Sequence, residues 1–180
     1  MSREPLKLKT KDEYFTPKLL VNPLLQYIKP NSTIWCPFDK LNSEYVIELS
    51  KHFNVIHSHI DDGCDFFEYE PEHYDCIISN PPFSKKLQVL TRLYELKKPF
   101  AILLGLPILN YQEIGHFFLD KKLQLLIFDK KVSFDGHTAS FNSSYFCCDF
   151  LPNDLMFYSL PHNNSNKSYV ASTMYNDLRP

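Results

Sequence analysis

The sequence predicts one α/β domain: a mostly parallel central sheet with helices on both faces and an antiparallel strand pair at its C-terminal end. Three observations lead there. Short apolar runs alternate with amphipathic stretches from residue 33 to residue 128, the pattern of successive strand–helix–strand units. The run Pro99-Phe100-Ala101-Ile102-Leu103-Leu104 is apolar without a break, as a strand covered on both sides must be. The chain has 180 residues, 44% hydrophobic and 15% aromatic, which suits a single sizeable core. Residues 1–12 read as a flexible charged arm, 13–160 as the domain, and 161–180 as a mobile, Asn/Ser-rich tail.

Each element has a local reason. Thr16 with Pro17 after it predicts a helix start, and Leu19, Leu20, Leu24, Tyr27 and Ile28 continue it at near-helical spacing until Pro23 kinks or shortens it. Lys29-Pro30-Asn31-Ser32 is a turn, and Thr33-Ile34-Trp35-Cys36 is the first strand. Ser43 caps a helix reaching Phe53, with Tyr45, Val46 and Leu49 on one side. Asn54–Ser58 is a second strand, closed by an Asp61-Asp62-Gly63 turn. Lys85–Leu96 is amphipathic, Asn110–Asp120 is a short helix, and Leu123–Phe128 is a further strand. Tyr145–Phe150 and Leu155–Tyr158 are expected to pair antiparallel.

Composition excludes several function classes. The formal net charge is −2, so nucleic-acid contact must come from a local patch and not from a basic protein as a whole. The five cysteines are odd in number and contain no C-x-x-C pair, which reads as reduced thiols in a cytosol-like compartment. No apolar stretch nears the roughly 20 residues of a membrane span, and the N-terminus has no apolar signal core. His57 and His59 would share a strand face, but no third ligand has matching spacing, so no metal site is expected.

The organising stretch is Tyr74-Asp75-Cys76-Ile77-Ile78-Ser79-Asn80-Pro81-Pro82-Phe83. Cys76, Ile77 and Ile78 form a compact strand. Pro81 and Pro82 then end it, because neither has an N–H for the ladder, and Asn80 before a proline is pushed away from helix. An amide and an aromatic ring are thereby held at a strand's C-terminal end, where open α/β sheets bind ligands.

An Asn-Pro-Pro-aromatic motif in this setting resembles the catalytic motif of class I S-adenosylmethionine-dependent adenine-N6 methyltransferases, and the chain is similar to the small phage-type DNA enzymes among them. The resemblance covers roughly residues 12–150 and implies a Rossmann-like methyltransferase fold. It implies catalytic roles for Asn80, Pro81, Pro82 and Phe83. The Asn80 amide oxygen and the Pro81 carbonyl would accept the two amine hydrogens, and Phe83 would stack on the base. Phe15-Thr16-Pro17 is similar to the segment that touches the methionine end of the cofactor. Pro37-Phe38-Asp39 lies at the first cofactor loop. Asp65-Phe66 resembles the pair that holds the adenine amine and ring, and Asp61 is the candidate for the ribose. Lys85 and Lys86 adjoin the tip and could meet phosphate, while Phe141 and Tyr145 lie where late target-base contacts are expected. The resemblance also implies a target base flipped from its stack, and action in the cytoplasm of a bacterial cell or phage-infected host.

The chain departs from the family in one respect. Its first loop, Pro37-Phe38-Asp39-Lys40-Leu41-Asn42-Ser43, has no glycine, whereas close backbone approach to a cofactor usually uses several. Two readings therefore stand beside DNA adenine methylation. The same tip suits an amine in RNA or a protein glutamine amide, and the glycine-free loop suits a catalytically silent binding module. DNA stands ahead of RNA as the partner. The length leaves no room for a large target-recognition domain, so sequence specificity is expected either to be relaxed or to be supplied by a homodimer or partner protein.

Overall fold

The structure, a computed structural model, describes residues 16–132, 134 and 142–161. Within these, seven strands form one sheet: β1 (Thr33–Cys36), β2 (Asn54–His57), β3 (Cys76–Ser79), β4 (Phe100–Gly105), β5 (Gln124–Phe128), β6 (Ser143–Cys148) and β7 (Leu155–Tyr158). The order across the sheet is β2-β1-β3-β4-β6-β5-β7. Four α-helices accompany it: α1 (Lys18–Val21), α2 (Glu44–Leu49), α3 (Lys86–Leu96) and α4 (Gln112–Phe117). The expected 1–12 arm and nearly all of the 161–180 tail lie outside the described residues.

Side-chain alternation divides the core into two layers. Ile34, Ile78, Leu103 and Tyr145 face α1 and α2, meeting Leu20, Leu24, Tyr45 and Leu49. Their neighbours Trp35, Ile77, Ile102 and Phe146 face the other way, against Val89, Leu90 and Leu93 of α3 and Ile114 of α4. All these side chains are at most 4% exposed, and burying each stabilises the fold by about 1.5–3 kcal/mol. The β4 run is buried at every position because both faces are covered.

The pairing at the C-terminal end differs from expectation. β6 runs antiparallel to both β4 and β5, and β7 joins the outer edge parallel to β5, so β6 and β7 do not pair. Burial explains the choice. Five of the six β6 residues are buried, which requires a strand on each side, whereas β7 alternates exposed and half-buried residues, as an edge can. Gln124 enforces the crossing. Its Nε2 donates to the Leu151 carbonyl (2.8 Å), and its Oε1 accepts from Phe150 N (2.9 Å) and Leu151 N (3.0 Å). The chain is thereby carried over the start of β5 instead of folding back as a hairpin.

Several helices are shorter than their patterns. α1 stops at Val21 because Pro23 has no N–H for a helical bond, and the chain tightens into a 3-10 turn over Asn22–Tyr27. Ser43 caps α2 by accepting from Val46 N at 3.2 Å, but the helix ends at Leu49. The Asn110–Asp120 stretch resolves into α4 between 3-10 turns at Leu106–Asn110 and Phe118–Asp120. α3 begins at Lys86, after a 3-10 turn at Phe83–Lys85. Thr16 does not cap α1; Pro17 holds the N-cap position, and the Thr16 hydroxyl is spent elsewhere.

The topology also makes a crevice. β1 lies between β2 and β3, so the chain leaves β1 toward one neighbour and returns on the other side. Loops at the C-terminal ends of β1 and β3 therefore diverge, and a ligand fits between them.

Candidate active site

A cavity of about 430 Å³ opens at that crevice, within the usual range for small-molecule sites. Three loops line it: residues 37–45 after β1, 59–67 after β2, and 80–85 after β3, with Thr16 closing one side.

The β1 loop is held by polar ties in place of glycine. Asp39 N donates to the Ser58 carbonyl (3.2 Å), and Ser58 N donates to the Cys36 carbonyl (3.1 Å). The Ser58 hydroxyl accepts from Trp35 Nε1 at 2.9 Å, so the ends of β1 and β2 are knitted together. The Asp39 carboxylate is 7% exposed and accepts a hydrogen bond from the fully buried Ser79 hydroxyl. Burial pushes its pKa up to about 6, with hydrogen bonds from Ser79 and Ser43 opposing that rise. A cation in the cavity would stabilise the ionised form.

The β2 loop supplies an aromatic wall and further acids. The Phe66 ring packs on Phe38 (centroids 4.8 Å apart) and on Trp35 (5.5 Å). Asp65 Oδ1 accepts from Phe67 N at 2.9 Å, a local turn that fixes the carboxylate at the cavity wall. His59 is buried, and its Nδ1 accepts from Asp61 N at 3.1 Å. Asp61 turns outward: its side chain is 60% exposed and pairs with Lys40 at 2.5 Å. The hydrogen bond and charge of Lys40 lower the Asp61 pKa. Gly63, at φ 78°, closes this loop in the left-handed region that glycine favours.

At the third loop, Asn80 Nδ2 donates to Thr16 Oγ1 at 3.1 Å. Ser79, immediately before it, holds Asp39, so the amide tip and the β1 loop are tied through adjacent residues. Pro81 and Pro82 line the cavity.

The fold thus brings Thr16, Pro37, Phe38, Asp39, Asp65, Phe66, Asn80, Pro81, Pro82 and Lys85 to one cavity. Pro17, Asp61, Phe83 and Lys86 are outside its lining. Lys86 Nζ lies 6.0 Å from the Phe83 ring centroid and 5.7 Å from that of Tyr111, while Lys85 Nζ lies over Phe67 at 5.1 Å. Tyr145 is fully buried, with its hydroxyl bonded to Tyr45 and to the Leu20 carbonyl, so it is a core residue and cannot touch a target base. Phe15 and Phe141 lie outside the described residues. Tyr45 and Tyr111 join the site region with no motif in their local sequence, whereas Ser43, Ser58 and Ser79 join it through hydrogen bonds to partners at least three residues away.

The cavity's donors and acceptors suit S-adenosylmethionine. Buried carboxylate oxygen at Asp39 answers an ammonium, the Phe38–Phe66 wall answers a purine ring, and Asp65 answers an exocyclic amine. Among the described residues there is no cluster of three or more His, Cys, Asp or Glu side chains that could hold a metal, and no helix long and apolar enough to cross a membrane.

The fold is that of the Rossmann-like methyltransferases. A solved methyltransferase subunit of a type I restriction-modification system from Streptococcus thermophilus aligns with a TM-score of 0.53 and 14% identity, over 82% of this chain and 47% of that one. A predicted O-methyltransferase from Agrobacterium tumefaciens aligns with a TM-score of 0.45 and 10% identity, over 86% of this chain and 90% of that one. Only the first is near enough to bear on the fold, and this chain spans less than half of it. No protein-family profile and no curated protein matches the sequence.

Proposed function

We propose that this protein transfers a methyl group from S-adenosylmethionine to the exocyclic N6 amine of adenine in DNA. The observation that carries the proposal is the Asn80-Pro81-Pro82 tip, at the end of a fully buried strand and on the wall of a cavity with a buried carboxylate and an aromatic face. S-adenosylmethionine, when bound, supplies an electrophilic methyl on a sulfonium. The protein's task is orientation. An aromatic amine is a poor nucleophile because its lone pair is delocalised into the ring. Acceptors at Asn80 Oδ1 and the Pro81 carbonyl would draw both amine hydrogens toward tetrahedral geometry, directing the lone pair at the methyl. Asp39 would hold the methionine ammonium, and Asp65 and Phe66 the adenosine; Asp61, paired outward with Lys40, is not placed to reach the ribose. The Phe83–Lys86–Tyr111 group, just outside the cavity, suits a stacked base and its phosphate.

DNA is preferred over RNA or a protein glutamine because a protein sharing this fold is a restriction-modification methyltransferase subunit. The glycine-free β1 loop favours one other reading, a binding module without catalysis. Labelled-methyl transfer to DNA, tRNA and protein fractions decides among them, with Asn80→Ala as control. We expect label in DNA with the wild type and none with Asn80→Ala, while calorimetry shows that both bind S-adenosylmethionine. Label in tRNA alone overturns the DNA choice. Absence of saturable cofactor binding leaves the silent module.

A further inference from the structure

The sheet ends in an unguarded edge. Among the described residues, no strand pairs with the outer side of β7. Edge strands are usually protected by lysine, proline or a bulge, and Leu155-Met156-Phe157-Tyr158 has none of these. The backbone groups that face outward follow from those that face inward. The Asp154 carbonyl accepts from Leu125 N at 2.7 Å and the Tyr158 carbonyl from Asp129 N at 3.1 Å, so Asp154, Met156 and Tyr158 turn their backbone toward β5. By alternation, the N–H and C=O groups of Leu155 and Phe157 point away from the sheet. The side chains of the same two residues are 56% and 71% exposed, and they extend a half-buried pair, Leu125 and Ile127, registered beside them on β5. An apolar face and a row of open backbone groups therefore coincide.

We propose that β7 is a docking edge for a second copy of this chain, pairing antiparallel with the same strand of that copy. The open backbone groups lie on residues 155 and 157, symmetric about Met156. Leu155 of each copy can therefore pair with Phe157 of the other around a two-fold axis, an arrangement that closes at two. Residues opposite each other share a face, so both Leu155 and both Phe157 side chains join one apolar cluster. The ends of the strand are complementary in charge. Exposed Asp154 begins it, and Lys130, whose Nζ donates to the Pro161 carbonyl at 2.8 Å, stands at its far end. Antiparallel pairing sets the acid end of each copy beside the basic end of the other. The opposite edge, β2, has no exposed large apolar side chain, and pairing of β7 with β2 would not close. Because the paired strands run in opposite directions, the two crevices open at opposite ends of the joined sheet, and each site works alone. The inference stands whatever reaction the cavity performs.

Sedimentation velocity on the full chain, across the micromolar range and at low salt, is the test. We expect a monomer–dimer equilibrium with no larger species. Phe157→Lys puts a charge into the apolar cluster and should weaken the dimer by roughly tenfold or more, the effect of losing a central aromatic anchor, while far-UV circular dichroism is unchanged. A charge exchange tests the pairing direction without touching the cluster. Asp154→Lys should weaken association, and Lys130→Asp added to it should restore it, because the exchange again sets opposite charges side by side. A chain that is monomeric at every concentration overturns the proposal, its edge then being covered by residues 162–180 or left bare. A dimer indifferent to Phe157→Lys and to Asp154→Lys also overturns it, since its interface lies elsewhere. Growth into larger species does the same, as the mark of pairing between β7 and β2.

Discussion

Replacing Asp39 by asparagine should make the protein more stable at neutral pH while weakening its hold on cofactor. The carboxyl is buried, with its pKa raised from 3.8 to about 6. Two units at about 1.36 kcal/mol each amount to about 3 kcal/mol. The sign follows from proton counting. Between about pH 4 and pH 6 the native state binds more protons than the unfolded chain, so stability falls as pH rises through that window. The penalty is absent below the unfolded pKa and complete above the folded one. Asp39→Asn removes it but adds an amide N–H2 that needs its own partner, a loss on the order of 1 kcal/mol. A net gain of about 2 kcal/mol corresponds to a Tm increase of roughly 4–8 °C for a chain of this size. Thermal unfolding of both proteins at pH 8 and pH 4 is the assay. The gain should appear at pH 8 and vanish at pH 4. An equal difference at both values, or a less stable variant at pH 8, would refute the argument. Calorimetry on the same samples should show weaker S-adenosylmethionine binding by the variant, a trade of function for stability at a ligand site.

Two further outcomes are expected. Gln124→Leu strips three buried or half-buried backbone groups of their partner and should cost on the order of 3 kcal/mol, read as a lower urea midpoint; a loss under about 1 kcal/mol would mean the crossing to β7 does not depend on it. Trp35 is the single tryptophan and packs on the cavity residue Phe66, so its emission should change saturably as S-adenosylmethionine is added; an unchanged spectrum at millimolar cofactor would argue against this cavity as the cofactor site.

The sequence by itself determined the parts whose causes are local. The Cys76–Ser79 strand and its proline stop are legible because proline cannot donate, and the Phe100–Gly105 strand because an unbroken apolar run must be covered twice. Ser43 is legible as a cap because its partner is three residues away. Tertiary structure alone decided the rest. The threonine before Pro17 has the local chemistry of a helix cap, yet its hydroxyl meets Asn80, 64 residues distant. Tyr145 has the sequence position of a base contact, yet the sheet order β4-β6-β5 places it in the interior. The β6–β7 hairpin is reasonable from proximity, but Gln124 and the two-sided burial of β6 override it. The missing glycines are the clearest case. Their absence is plain in the sequence, but the hydrogen bonds that fix the loop are invisible there because their parts, Asp39, Ser58 and Ser79, come from three different strand ends. Local sterics act over a few residues and can be read from the chain in order, whereas a hydrogen-bond partner is chosen by whatever the sheet brings alongside.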